Sequence, residues 1–104
     1  MGFAENRTPE TQGKREMHEL VRATFAALQD GELDELVHDL RVRVFGRDPD
    51  ALLETTIENG VCRWSFKPMV ELMLRHVLDV AAHDRRPADE RRRDIAATIE
   101  LAGF

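Results

Sequence analysis

The sequence holds a single cysteine, Cys62, so no disulfide can form within one chain and the fold has to be held by packing. No apolar run approaches the length that spans a bilayer, and the N-terminus lacks the basic-then-apolar pattern of a secretory signal. A cytoplasmic protein with no membrane association is the expectation. There is no glycine-rich phosphate loop, no Ser, His and Asp series at a recognisable nucleophile spacing, and no HExxH pair. With those motifs missing, no catalytic residue, cofactor or metal is assigned. A positive net balance is also lacking: 15 basic residues stand against 20 acids, and the formal net charge of −5 disfavours general attraction to nucleic acid or anionic membranes.

What the chain does contain is helical periodicity. Its 104 residues suit one domain, and 42% hydrophobic with 34% charged residues is the composition of a globular protein. Residues 1–16, MGFAENRTPETQGKRE, are poor in large apolar side chains and read as a flexible N-terminal arm, leaving 17–104 as a single helical domain. From about Lys14 to Asp30, Met17, Leu20, Val21, Thr24, Phe25 and Leu28 form one stripe, ended by Asp30-Gly31. A second stripe follows at once with Leu33, Leu36, Val37, Leu40 and Val44. Acids precede it and Arg41 and Arg43 come last, matching the helix dipole. Leu40 to Phe45 also alternates as a strand would, but the helical stripe begins upstream and no partner strand is evident.

Asp48-Pro49 supplies an N-cap and a first-turn proline for a third helix, about Pro49 to Glu58, stopped by Asn59-Gly60. Val61 to Phe66 then reads as a connector carrying the only tryptophan, Trp64. The fourth helix, about Phe66 to His83, is apolar around most of its circumference, with Glu71, Arg75 and Asp79 as its polar stripe. Such a helix is central to a bundle or lies at an interface. The last helix starts near Pro87, turns Ala88, Ile95, Ile99 and Ala102 inward, and is closed by Gly103. The expected fold is therefore all-α, a compact bundle of about five helices.

Candidate chemistry is thin. His76, Asp79 and His83 share a helix stripe and are suitable metal ligands by type, yet each histidine also suits a surface or capping position, which is the favoured reading. Cys62, between Val61 and Trp64, reads as a buried apolar thiol rather than a nucleophile. Residues 51–75 could form a helix-turn-helix, with Arg63, Ser65 and Lys67 as nucleic-acid contacts; Pro68 and the apolar character of the second helix oppose it. The five arginines of the 84–94 run stand against four acids, a net charge of only +1, and Arg91, Arg92 and Arg93 read as a solvated, ion-paired helix start.

The stretch from Glu19 to Leu36, ELVRATFAALQDGELDEL, resembles the opening helices of the SnoaL-like (nuclear transport factor 2-like) superfamily. The resemblance covers under a fifth of the chain. It implies a cone-shaped α+β fold with a ligand pocket, used by some members for isomerase or cyclase chemistry.

The primary expectation is a non-enzymatic regulatory or adaptor module that acts through protein–protein contact and pairs with itself as a homodimer. Trp64, Met69, Met73 and Val77 are its candidate contacts, because the fourth helix carries more apolar surface than one core would cover. A DNA-binding regulator using residues 51–75 is the alternative.

Overall fold

Helical periodicity survives into the structure over most of the chain, and fails at one segment with a definite local cause. The computed structural model describes residues 9–29 and 31–104. The first helix, α1 (Pro9–Gln29), starts at a proline, whose missing N–H costs nothing in a first turn. Residues 9–16 of the N-terminal arm are thus helical; residues 1–8, and Asp30 of the expected stop, lie outside the described residues. Leu20, Thr24 and Leu28 are buried on one side of α1, with Met17, Val21 and Phe25 packed beside them. Thr24 pays no polar penalty there, since its Oγ1 donates to the Leu20 carbonyl at 2.7 Å.

Helix α2 (Glu35–Asp39) runs on into a π-helical turn, Leu40–Val44. The Phe45 N–H reaches back five residues to the Leu40 carbonyl at 2.9 Å. The segment that also alternated like a strand is therefore helical. Leu33, Leu36, Val37, Leu40 and Val44 are all buried, as the stripe requires.

The third helix departs from expectation. α3 (Pro49–Leu52) is capped by Asp48, whose Oδ1 accepts from the Asp50 N–H at 3.4 Å, but it ends after one turn. The chain then forms β1 (Leu53–Glu58) and β2 (Val61–Phe66), an antiparallel pair in register from Leu53 opposite Phe66 to Glu58 opposite Val61. Asn59 has φ 54° and Gly60 φ 76°, so both turn residues are left-handed. That is the two-residue turn whose twist suits a hairpin. The β-branched run Thr55, Thr56 and Ile57 favours the pleat over a helix. The molecule is mostly helical with a small two-stranded sheet, not purely all-α.

Two other expectations fall with this hairpin. Residues 51–75 contain the end of α3, both strands and the start of the next helix, so that segment is not a helix-turn-helix. The described residues form two strands in all, without the long curved sheet that a SnoaL-like cone needs.

Helix α4 (Pro68–His83) packs against both α1 and the last helix, α5 (Ala88–Leu101). Val70, Met73, Leu74, Val77 and Val80 fill the centre, meeting Ile95 and Ile99 in one continuous core. α4 is not enclosed all round, however: Met69 and Leu72 remain well exposed. Gly103, at φ 97°, turns the chain out of α5, and the Phe104 N–H returns to the Ile99 carbonyl at 3.2 Å. Arg43 holds the same terminus from the π-helical turn, donating to the Phe104 carbonyl at 2.9 and 3.2 Å. Among the described residues no helix is long and apolar enough to cross a membrane.

Candidate interaction surface

The hairpin has two chemically distinct faces, because successive strand residues point to opposite sides. Leu53, Thr55 and Ile57 share one face with Phe66, Trp64 and Cys62 opposite them; Glu54, Thr56, Glu58, Val61, Arg63 and Ser65 form the other. The first face is mainly apolar. Its base is covered, with Phe66 buried and Leu53 half-buried, while Ile57 near the tip is 75% exposed and Trp64 37%.

The two strand edges differ as well. The Lys67 N–H donates to the Leu52 carbonyl at 2.8 Å, continuing the ladder past Leu53–Phe66. That bond fixes the ladder's parity. Even-numbered residues of β1 point their backbone groups at β2, and Leu53, Thr55 and Ile57 point theirs outward. On β2 the outward groups include the Trp64 carbonyl, and α1 closes over it. A Cβ built on Gly13 would lie 2.2 Å from that oxygen, so only glycine permits the helix to come so near. Arg63 secures the contact by pairing with Glu16 of α1 at 2.7 Å and with Glu58 at 3.2 Å. Those acids favour its charged form: the hydrogen bond it donates to Glu58 and the charge of Glu16 push its pKa upward.

On β1 the Leu53 N–H is taken by the Pro49 carbonyl. The backbone groups of Thr55 and Ile57 have no partner strand among the described residues. Among the described residues one edge is closed and the other is open.

Beside the base of the apolar face lies a groove of about 320 Å³. Leu53, Phe66 and Leu52 line it from the hairpin side, and Met17, Val21 and Phe45 from the helices, with Lys14, His18 and Arg47 also in its lining. The Arg47 guanidinium sits 5.1 Å from the Phe104 ring centre and its Nε donates to the Arg43 carbonyl at 3.1 Å.

The structure divides the four apolar residues singled out in the sequence. Met73 and Val77 are core residues, 2% and 0% exposed, while Trp64 and Met69 are on the surface. Exposure and helix number are different matters: α4 turns Met73 and Val77 inward and Met69 outward. Sequence reasoning missed Ile57, Thr55 and Gly13, although Asn59-Gly60 between two alternating runs was the signal that could have found the first two.

The residues considered for nucleic-acid contact do not form a free basic patch. Arg63 is held by two acids, and Lys67 stands at the N-cap of α4. Arg92 pairs with Glu35 and with Asp89, Arg91 approaches Glu32 at 3.8 Å, and the Arg93 Nε reaches the Asp89 carbonyl at 3.4 Å. Arg91 and Arg92 tie the start of α5 to the α2 region, while the Arg93 contact stays within α5. His76 pairs with Asp94 at 2.9 Å, and no group of three metal-ligating side chains occurs among the described residues. Cys62 is half-buried.

Arg86 clasps Asp84 and Asp94 at 2.5 and 2.6 Å, pinning the α4–α5 connection. The guanidinium hydrogen bonds bring the Asp84 pKa from 3.8 down to about 2, and Arg86 followed by His76 lowers that of Asp94. A carboxylate with a depressed folded-state pKa stabilises above its unfolded value and loses that contribution as pH falls toward the folded one. Melting temperature is therefore expected to fall between about pH 4 and pH 2, and Asp84→Asn to flatten part of that fall. An unchanged acid profile in the variant, followed by circular dichroism, would remove Asp84 from the account.

Compared with known protein families, curated proteins and solved structures, the chain finds no match in any of the three.

Proposed function

We propose that this chain is a protein–protein interaction module that associates with a second copy of itself through the hairpin. The observation that carries the reading is the asymmetry of the sheet. α1 covers the outer edge of β2, whereas β1 offers an edge unpaired among the described residues, directly beside the exposed Ile57. An open strand edge is a template for another strand, and proteins that do not use one commonly blunt it with lysine, proline or a bulge. β1, LETTIE, has no lysine, proline or glycine, its two charges, Glu54 and Glu58, lie on the face away from Ile57, and its register with β2 runs unbroken. Backbone bonds would give the contact its direction, and Ile57 with Trp64 its apolar area.

Sedimentation velocity at micromolar concentration is expected to show a dimer. Ile57→Lys should shift it to monomer by at least tenfold in dissociation constant while leaving the circular dichroism melt in place at concentrations where the wild type is monomeric, because the side chain is exposed in the single chain. A wild-type monomer at every accessible concentration would end the reading.

A further inference from the structure

Resting on that reading, the geometry points to one register: we infer that β1 pairs antiparallel with β1 of the second copy, centred on Thr55, and that each copy's Ile57 seats beside the other's Leu53 at the mouth of the apolar groove.

Three features lead to this arrangement: the first two hold for any register that opposes odd-numbered residues to odd-numbered ones, and the third chooses among those. First, the outward-facing backbone groups belong to odd-numbered residues, so a Thr55-centred pair sets Thr55 against Thr55 with both hydrogen bonds made. Ile57 then donates to the outward carbonyl of the second copy's Leu53, whose own N–H already serves Pro49. Second, opposed residues in an antiparallel pair share a face, and a two-fold axis normal to the sheet keeps the two apolar faces on one side. Leu53 then meets Ile57, Thr55 meets Thr55, and the four-stranded sheet carries a continuous apolar row from Cys62 through Ile57 to the other copy's Leu53 and Phe66.

Charge is the third. Centring on Thr55 sets Glu54 opposite Thr56, whereas the neighbouring symmetric register, centred on Thr56, would set Glu54 opposite Glu58. Like charges directly opposed are destabilising, so the second register is disfavoured by its own sequence. The groove fits an anchor of this kind. At about 320 Å³ it is at the small end of the 300–1,000 Å³ or so typical of small-molecule sites, and it is lined by Leu53 and Phe66, the residues beside which the incoming Ile57 would stand.

The test uses the full chain with Cys62→Ser, to remove the native thiol, and adds either Thr55→Cys or Thr56→Cys. Cα atoms of a hydrogen-bonded antiparallel pair lie about 5.5 Å apart, within disulfide reach. The Thr55→Cys protein is expected to oxidise to a covalent dimer in high yield, and the Thr56→Cys protein to cross-link at least tenfold more slowly. Adding Ile57→Lys should abolish cross-linking in the first. Rapid cross-linking through residue 56 and not 55 would overturn the register in favour of the Thr56-centred one. A sedimenting dimer that cross-links through neither would place the interface elsewhere and overturn this inference while leaving self-association intact. A monomer by sedimentation, its groove left to some other occupant, removes both.

Discussion

Gly13→Ala is expected to lower the melting temperature by roughly 5–15 °C, although the substitution should favour any helix considered alone. Alanine in a helix interior gains about 1 kcal/mol over glycine. Here the added methyl would lie 2.2 Å from the Trp64 carbonyl oxygen and 3.1 Å from the Arg63 side chain. Arg63 can swing aside, but the carbonyl belongs to a strand paired along its whole length with β1. To restore an ordinary contact the helix and the hairpin must separate by about an ångström, which loosens Met17 and Leu20 from Phe66. Overpacking of this kind costs about 1–3 kcal/mol, and for a domain of this size each kcal/mol moves the midpoint by about 4–8 °C. Gly31→Ala is the control. Among the described residues beyond its chain neighbours nothing lies within 4 Å of the position its Cβ would take, and its effect should stay within about 0.5 kcal/mol. A Gly13→Ala protein as stable as wild type would mean that α1 does not close the β2 edge. The variant also bears on association, since a loosened α1 uncovers the Trp64 carbonyl and gives the sheet a second open edge. Higher-order species in sedimentation are expected alongside the lower melting point.

Gly13 also shows where local sequence reading runs out. In the chain alone it falls in the stretch that reads as a flexible arm, just before the first helical stripe, and has no visible reason. Its reason is fifty residues away, at a strand edge that cannot be placed before the hairpin is known. The hairpin itself was legible in part. Asn59-Gly60 stops a helix as readily as it turns a hairpin, because both uses need left-handed φ. What decides between them is the flanking pattern: Leu53, Thr55 and Ile57 on one side and Cys62, Trp64 and Phe66 on the other alternate at period two. The Asp48-Pro49 start signal was real, and carried the helical reading past Leu52, where α3 ends.

Where stripes were long, the periodicity placed the core correctly. Leu33, Leu36, Val37, Leu40 and Val44 were grouped from spacing alone and are all buried. The candidate surface was harder, since it depends on which side of α4 is covered. A helix apolar around most of its circumference does not by itself reveal whether Met69 or Met73 faces outward; the placement of α1 and α5 settles that.

Leu74→Ala carries the largest expected loss of stability, and it tests that placement directly. The side chain is 0% exposed, near the middle of α4, where the helix packs between α1 and α5. Truncating a fully buried leucine costs about 2–5 kcal/mol, from lost transfer energy together with the cavity left behind. Domains of this kind are stable by only about 5–15 kcal/mol, so a fall in melting temperature of some 10–30 °C is expected. Leu72→Ala, two residues earlier on the same helix, removes the same atoms from a position 65% exposed and should change stability by no more than about 0.5 kcal/mol. The contrast between two identical substitutions separates the buried side of α4 from its open side without reference to any partner. Equal losses in the two variants at a concentration where the protein is monomeric would show that Leu72 is covered within the chain. If Leu72→Ala instead becomes destabilising only as concentration rises into the dimer range, the open side of α4 belongs to the interface too, and the contact extends beyond the hairpin.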